Sequence, residues 1–446
     1  MPATIGTPGA PGTLDAILKN YYIGPLQEQL NNEVMVLNMF EKAKITWAGR
    51  QGVVPVHVGR NEGALGGVAF KGEEDALPTA YNQVTKRLTF TAAYLYGRFR
   101  VTGPAIASAA KGGTASFIGA LELEMDKLKD DVRNTADRTM VSGGRVVGFL
   151  NQRKAEAGAG TWEFRGDFQK ILTVRAAKGA NLDIAVIDCS NNTLTGEAVT
   201  YERITTTAKV DTTHGGFSPS AGTIRLDAAL DTTGVAVGFG AALVIIDGDA
   251  AVDAILDQEP TGIYGILGDE TLFGVDRGST PGDAMARQSG IMVQDVDNAD
   301  NPGNAEALTL ERMQQVIDGI SVTSGMDIDV IMMNPLMRSR YTGLIAGNIF
   351  KPVEKATTGD GGFLGLSYGG VPIKSARHVD NGLILFLNTK CWKLAVLEDG
   401  KFADLDGSVL SRVSDNDSWE GFYKWYYNHY CYRPNANGVL TGITFA

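Results

Sequence analysis

Gly365-Leu366-Ser367-Tyr368-Gly369 has the G-x-S-x-G spacing in which a serine on a sharp strand-to-helix turn becomes an acyl-transfer nucleophile. Its surroundings argue for less. Gly370-Val371-Pro372-Ile373 follows as a turn into a strand, and no acid stands between Ser367 and His378, as the serine, acid, histidine order of that motif requires. A plain glycine-rich turn is expected. Asp295, Asp297 and Glu306 occupy positions 1, 3 and 12 of a calcium loop, but position 5 is Ala299 and the glycine position is Asp300. Asp247, Asp249, Asp253 and Asp257 cluster without that glycine too, so both groups read as acidic surface. His429 and Cys431 share a strand face with Cys391 as a third donor, yet four-ligand zinc spacings are absent and a packed aromatic strand is expected. No phosphate-cradling G-x-x-x-x-G-K-[ST] occurs, and Gly238-Phe239-Gly240 lacks the third glycine of a dinucleotide fingerprint. The histidines, His57, His214, His378 and His429, are scattered along the chain. These residues therefore assign no catalytic, cofactor or metal site. A hydrolase working through Ser367 stands as the rival from another class.

Composition bounds what the chain can be. With 446 residues, 44% hydrophobic and 20% charged, it has apolar material for two or more packed domains. Glycine at 55 against proline at 15 points to turns, hairpins and bends, not to a proline-rich or collagen chain. The longest nearly apolar run, residues 235–246, falls well short of the ~20 residues that cross a bilayer. No membrane span is expected. The first twelve residues show no basic n-region or apolar h-region, so no secretory signal is read there and synthesis in the cytoplasm is the default. Cys189, Cys391 and Cys431 are expected as free, mostly buried thiols. Net charge is −11, and residues 241–330 hold 17 acidic side chains against Arg277, Arg287 and Arg312 alone. Tight phosphate binding needs a basic surface that releases counterions, so this balance argues against a dedicated nucleic-acid binder.

The elements follow from periodicity. Residues 1–13 read as a mobile tail, and Leu14, Ile17, Leu18, Leu26, Leu30, Val34 and Leu37 as short helical pieces of an arm, not a core. Residues 53–58 and a strand from Val84 form a hairpin, with Val84, Lys86, Leu88, Phe90, Ala92, Tyr94 and Tyr96 on one face. The loop between them, residues 59–78, is glycine-rich and charged (Arg60, Glu62, Lys71, Glu73, Glu74, Asp75), and loops that long do something. A lone two-stranded ribbon is marginal in water and should lie on another subunit. Residues 114–140 give the strongest helix: Phe117, Leu121, Met125, Leu128, Val132 and Ala136 make one stripe, while Glu122, Asp126, Lys129, Asp130, Arg133 and Asp137 face away. Gly143-Gly144 ends it, and residues 161–247 read as a small inserted β-domain. Beyond it come a Thr309-capped helix, a buried strand over 328–333, a helix started by Asn334-Pro335, and a closing antiparallel sheet.

This order of elements resembles the tailed-phage major capsid protein, the α+β, HK97-like coat fold named after phage Hong Kong 97. The likeness is carried by the hairpin over 53–96, the helix over 114–140, Glu259-Pro260-Thr261-Gly262-Ile263-Tyr264-Gly265-Ile266-Leu267 with Phe273-Gly274-Val275-Asp276-Arg277 after it, and Gly369-Gly370-Val371-Pro372-Ile373. The resemblance implies an N-terminal arm (1–50), an extended loop (51–103), a peripheral-domain spine helix (104–150), a β-rich insertion domain (151–254), an axial domain (255–370) and peripheral or axial closing strands (371–446). It implies a structural protein, not an enzyme, without cofactors, that assembles in the host cytoplasm as pentamers and hexamers into a virion head. Self-contacts are the main partners; scaffold, decoration or cement, and portal proteins are the others, and double-stranded DNA is enclosed without sequence-specific binding. Some members carry a cleaved scaffolding segment where this chain begins at once with the arm, which implies a separate scaffold or a mature chain. Certain members link an extended-loop lysine to a neighbour's asparagine; Lys71 is placed for that, with a solvated charged tip as the plainer reading. The alternative within the fold is an encapsulin-type compartment shell.

Overall fold

The computed structural model describes residues 34–43, 45, 47–59, 68, 70–78, 82–104, 114–142, 146–154, 161–166, short strands between 183 and 245, 259–267, 272–275, 291–294, 308–348, 366–379, 383–404, 409–413, 416–441 and 443. In chain order these begin with α1 (Val36–Met39), β1 (Glu41–Ala43), β2 (Trp47–Ala48), β3 (Gln51–Gly59), β4 (Val84–Thr91), β5 (Ala93–Thr102) and α2 (Thr114–Ser142). There follow β6 (Val146–Lys154), β7 (Thr161–Gly166), β8 (Asp183–Asp188), β9 (Glu202–Arg203), β10 (Ala208–Lys209), β11 (Phe217–Ser218), β12 (Thr223–Arg225) and β13 (Ala241–Ile245). Next are α3 (Ile263–Leu267), β14 (Ile291–Gln294), α4 (Leu310–Ser324), β15 (Val330–Met333) and α5 (Pro335–Asn348). The chain closes with β16 (Ser367–Tyr368), β17 (Val371–Ser375), β18 (Ile384–Leu387), β19 (Trp392–Phe402), β20 (Ser411–Arg412), β21 (Ser418–Cys431) and β22 (Gly438–Thr441).

One sheet runs β1-β19-β21-β20, with β5 also antiparallel along β21, and α2 crosses it. The crossing is close because β5 carries a glycine there: a Cβ on Gly97 would lie 2.8 Å from Val132 Cγ2 and 2.9 Å from Leu128 Cδ1. Val132, Ala136 and Met140 of the helix stripe are buried. Two expectations are corrected in this layer. The face Val84 to Tyr96 is not continuous, since Ala92 and Ala93 are both buried, and Tyr94 and Tyr96 are exposed where Phe99 and Val101 are buried. The chain leaves one sheet at β4 and joins another at β5, and the extra buried residue flips the parity. Asp137 does not face solvent. It is 2% exposed, and its Oδ1 accepts the Leu37 N–H at 2.7 Å while the N–H groups of Met35 and Val36 also donate to it. The carboxylate thus satisfies amides at the start of α1 that no preceding turn can serve. Burial pushes its pKa up against the pull of those amides and of His378.

The residues at the end of the expected arm also belong to the core. Val36 and Phe40 are buried, Phe40 lies 5.1 Å from the Trp392 ring in a stack, and β1 pairs in parallel with β19. The arm pieces from Leu14 to Leu30 lie outside the described residues.

A second sheet, β14-β22-β18-β15-β17-β16, is mixed: β14 with β22 and β15 with β17 run parallel, the other pairs antiparallel. The closing strands were expected as one antiparallel sheet; instead they divide between this layer and the first. All four residues of β15 and of β18 are buried, as strands covered on both faces must be. Alternate residues serve different cores. Val330, Met332, Leu385 and Leu387 face the cluster shared with α2, while Ile331, Met333, Ile384 and Phe386 face α4 and α5. The starts of both helices are set by sequence chemistry: Thr309 Oγ1 accepts the Arg312 N–H at 3.4 Å, and Asn334 Oδ1 accepts the Leu336 N–H at 3.1 Å ahead of Pro335.

The backbone of β6 to β13 forms an antiparallel sheet in the order β10-β8-β13-β6-β7-β12-β11, with β9 on β8. A fourth, small sheet joins β2, β3 and β4. Among the described residues no helix is long and apolar enough to cross a membrane.

Candidate functional site

Ser367 sits in β16 and pairs with Pro372 across a two-residue turn, Gly369-Gly370, with φ of 56° and 85°. Positive φ at both centres is the turn that suits a tight hairpin, and glycine adopts it without strain. The serine is therefore on an antiparallel hairpin, not on a strand-to-helix elbow, and that geometry offers no backbone oxyanion donors from a helix start. His378 is buried with its ring 3.3 Å from Asn134 Oδ1. The acidic groups at 247–257 and 295–306, Cys189 and His214 lie outside the described residues.

Cys431 lies near Cys391, and His429 is on the same strand two residues earlier, in a packed aromatic setting. His429 is 0% exposed between Phe40 and Trp392, with ring centroids 6.1 and 6.3 Å away, and among the described residues neither of its nitrogens has a hydrogen-bond partner. Burial alone pushes its pKa down to about 3. Both thiols are buried, and burial pushes their pKa values up. Among the described residues no group of three His, Cys, Asp or Glu is placed to hold a metal.

What the fold leaves unsatisfied is of another kind. The base of the β3–β4 hairpin belongs to the core through Val56, Val58, Leu88 and Phe90, and the Thr89 N–H donates to the Phe273 carbonyl at 2.8 Å. Past that base it projects: Val84 to Arg87 of β4 are exposed, and in the loop Val68 is 63%, Leu77 89% and Phe70 109% exposed. Among the described residues nothing covers these large apolar side chains. The described tip is ordered by a turn in which Asp75 N–H donates to the Gly72 carbonyl at 3.2 Å and Gly72 N–H to Asp75 Oδ2 at 2.8 Å, with Lys71, Glu73 and Glu74 exposed around it. In the sequence the trio stands among glycine, alanine and charged residues, with nothing to mark it from Leu65 in the same loop.

Two of the open strand edges among the described residues border one cleft. β1 closes the first sheet on one side, and β3 beyond Gly52 pairs only with β4. Pro55, which cannot donate a ladder hydrogen bond, marks β3 as an edge. Between the two edges lies an open cleft of about 740 Å³, walled by Lys42, Val54 to Val58, the end of α4 at Thr323 to Gly325, Lys393 and Arg433. Among the described residues its lining includes no carboxylate. At its rim Lys42 pairs with Asp399 and Lys393 with Glu41, each at 2.5 Å, and the Lys393 hydrogen bond holds the Glu41 carboxyl below its usual range.

No protein-family model matches the chain, and no curated protein does. Solved structures do. The capsid asymmetric unit of cyanophage A-1(L) superposes with a TM-score of 0.53 at 12% identity, covering 95% of this chain and 97% of that one. The capsid of the native GTA particle gives a TM-score of 0.45 at 11% identity over 98% of this chain and 100% of that one. Resting on the cyanophage superposition, and on the order of hairpin, long helix and two sheets described above, the chain has the α+β fold of a bacteriophage capsid protein.

Proposed function

We propose that this chain is the major capsid protein of a tailed bacteriophage, whose copies close as pentamers and hexamers into an icosahedral head around double-stranded DNA. The observation that carries the reading is the projecting hairpin with Val68, Phe70 and Leu77 in solvent. Covering a Val, Leu or Phe side chain contributes about 1.5–3 kcal/mol. Three of them, repeated at every symmetry-related contact, supply the many modest contacts that hold a shell together. In this reading residues 1–50 are the arm, 51–103 the extended loop, α2 the spine of a peripheral domain, β6 to β13 the insertion, and the six-stranded layer the axial domain. The virion is its location, and scaffold, decoration and portal proteins are its further partners. The net charge of −11 suits a wall that encloses DNA without gripping it.

The test is deletion of residues 61–74. The parent chain should elute as capsomers or megadalton particles that hold DNA, which separates a phage head from a compartment shell. The deletion should give a folded, soluble subunit and no shells in negative-stain microscopy. Normal particles from the deletion would refute the role of the loop. A parent chain that stays a compact monomer at high concentration would refute the shell itself.

A further inference from the structure

We infer that the cleft between β1 and β3 is a binding site for a phosphate-type oxyanion, held by Arg433, Lys393 and the Tyr430 hydroxyl. Such a site stands whether or not the chain builds a shell. Its donors are uncommitted. Arg433 gives one N–H, from Nη2, to the Ser324 carbonyl at 2.5 Å and pairs with no carboxylate among the described residues, which leaves the rest of its donor fork for a ligand. Tyr430 lines the cleft while 6% exposed, with its ring stacked on Phe90 at 5.3 Å, and among the described residues its hydroxyl makes no hydrogen bond. A polar group held in so buried a place is costly until a ligand or a water takes it up. The strand register gathers these groups. Lys393 lies directly across from Tyr430 in the β19–β21 pair, where opposite Cβ atoms stand about 5 Å apart, and Arg433 follows just past the end of β21.

The electrostatics of the wall agree with an anion. Lys42, Lys393 and Arg433 line the cleft, and among the described residues no carboxylate does. The acids that pair with the two lysines, Asp399 and Glu41, are exposed at the rim; exposed pairs contribute little, so a polyvalent anion competes with them on favourable terms. Carbonyls at the α4 C-terminus would oppose an anion, but Arg433 covers the Ser324 carbonyl. Burial pushes the Tyr430 pKa up, so its hydroxyl keeps the proton and serves as a donor. A guanidinium fork, an ammonium and a phenol together match the several oxygens of a phosphate, whereas a halide engages one donor at a time. At about 740 Å³ the cleft falls within the roughly 300–1,000 Å³ of small-molecule sites and has room for a diphosphate.

Calorimetric titration of the full chain with pyrophosphate, at an ionic strength held constant with sodium chloride, tests this directly. One saturable site per chain is expected, with inorganic phosphate binding more weakly and chloride failing to compete. Tyr430→Phe keeps the ring on Phe90 and removes only the donor; it should weaken pyrophosphate about tenfold while the unfolding midpoint without ligand stays unchanged. Arg433→Gln should weaken it more than tenfold, and Glu41→Gln, which frees Lys393, should tighten it. Heat that never saturates, or a Tyr430→Phe protein that binds as wild type does, overturns the site. Neither result touches the shell reading, which particle formation decides. Blunt duplex DNA added to the pyrophosphate complex separates the two sources of phosphate, and both outcomes keep the site: displacement assigns it to a nucleic-acid backbone, and no displacement to a free anion.

Discussion

Replacing His429 with leucine should remove most of the acid sensitivity of the subunit. The wild-type imidazole is fully buried against Phe40 and Trp392 with both nitrogens unpaired, and its pKa falls from 6.5 to about 3 by desolvation. Such a group binds fewer protons folded than unfolded, so its neutral form is compatible with the fold above pH 6.5, and stability is lost as pH falls from 6.5 toward 3. At about 1.4 kcal/mol per pH unit the loss is about 2 kcal/mol at pH 5 and about 5 kcal/mol at the acid end. Leucine has similar volume and no proton to take up. At pH 7.5 the substitution gives up two ring contacts and two unpaired nitrogens together, and the net change should stay within about 1 kcal/mol. The assay is urea unfolding of unassembled subunits at pH 7.5, 6.5, 5.5 and 4.5, comparing the variant with wild type at each step. Asp137, whose pKa is raised, contributes in the opposite direction, since its stabilising share is present at low pH and lost as pH rises; it is common to both proteins and cancels in the difference. Parallel pH profiles for the two proteins would show that His429 is not dry, and the reasoning from its burial would fail.

Asp137→Ala leaves the N–H groups of Met35, Val36 and Leu37 without their acceptor and should cost about 3 kcal/mol, with Asp137→Asn costing clearly less because one oxygen remains; limited proteolysis near residues 34–40 is the second readout. Gly97→Val forces branched methyl groups into Leu128 and Val132, where even a Cβ lies within 2.9 Å, and should cost about 1–3 kcal/mol by thermal unfolding. Leu128→Asp, on the same contact, should cost several kcal/mol by placing an unpaired charge against the core; an unchanged unfolding midpoint would show that the stripe does not pack. Ser367→Ala should leave folding and particle formation as they are, since the serine is exposed on a hairpin; lost assembly would mean it makes a contact between copies.

Local chemistry made part of this protein readable from its residues. The stripe on α2, the Thr309 cap, Asn334-Pro335 at the start of α5 and Gly369-Gly370 at a tight turn each follow from interactions between residues at most four apart, and such interactions are written in spacing and residue type. The charge balance was likewise a local fact. Tertiary structure decided the rest, because it depends on partners hundreds of residues away. Nothing near Glu41 announces that β1 will lie parallel to β19, and nothing near Asp137 announces that three amides a hundred residues earlier will pull a carboxylate into the core. The change of sheet at Ala92 and Ala93, the division of the closing strands between two layers, and the sharing of β15 and β18 by two cores are choices of non-local pairing. The same holds for the assembly surface. Val68, Phe70 and Leu77 are ordinary apolar residues in the sequence, and only the path of the hairpin away from its own core leaves them in water.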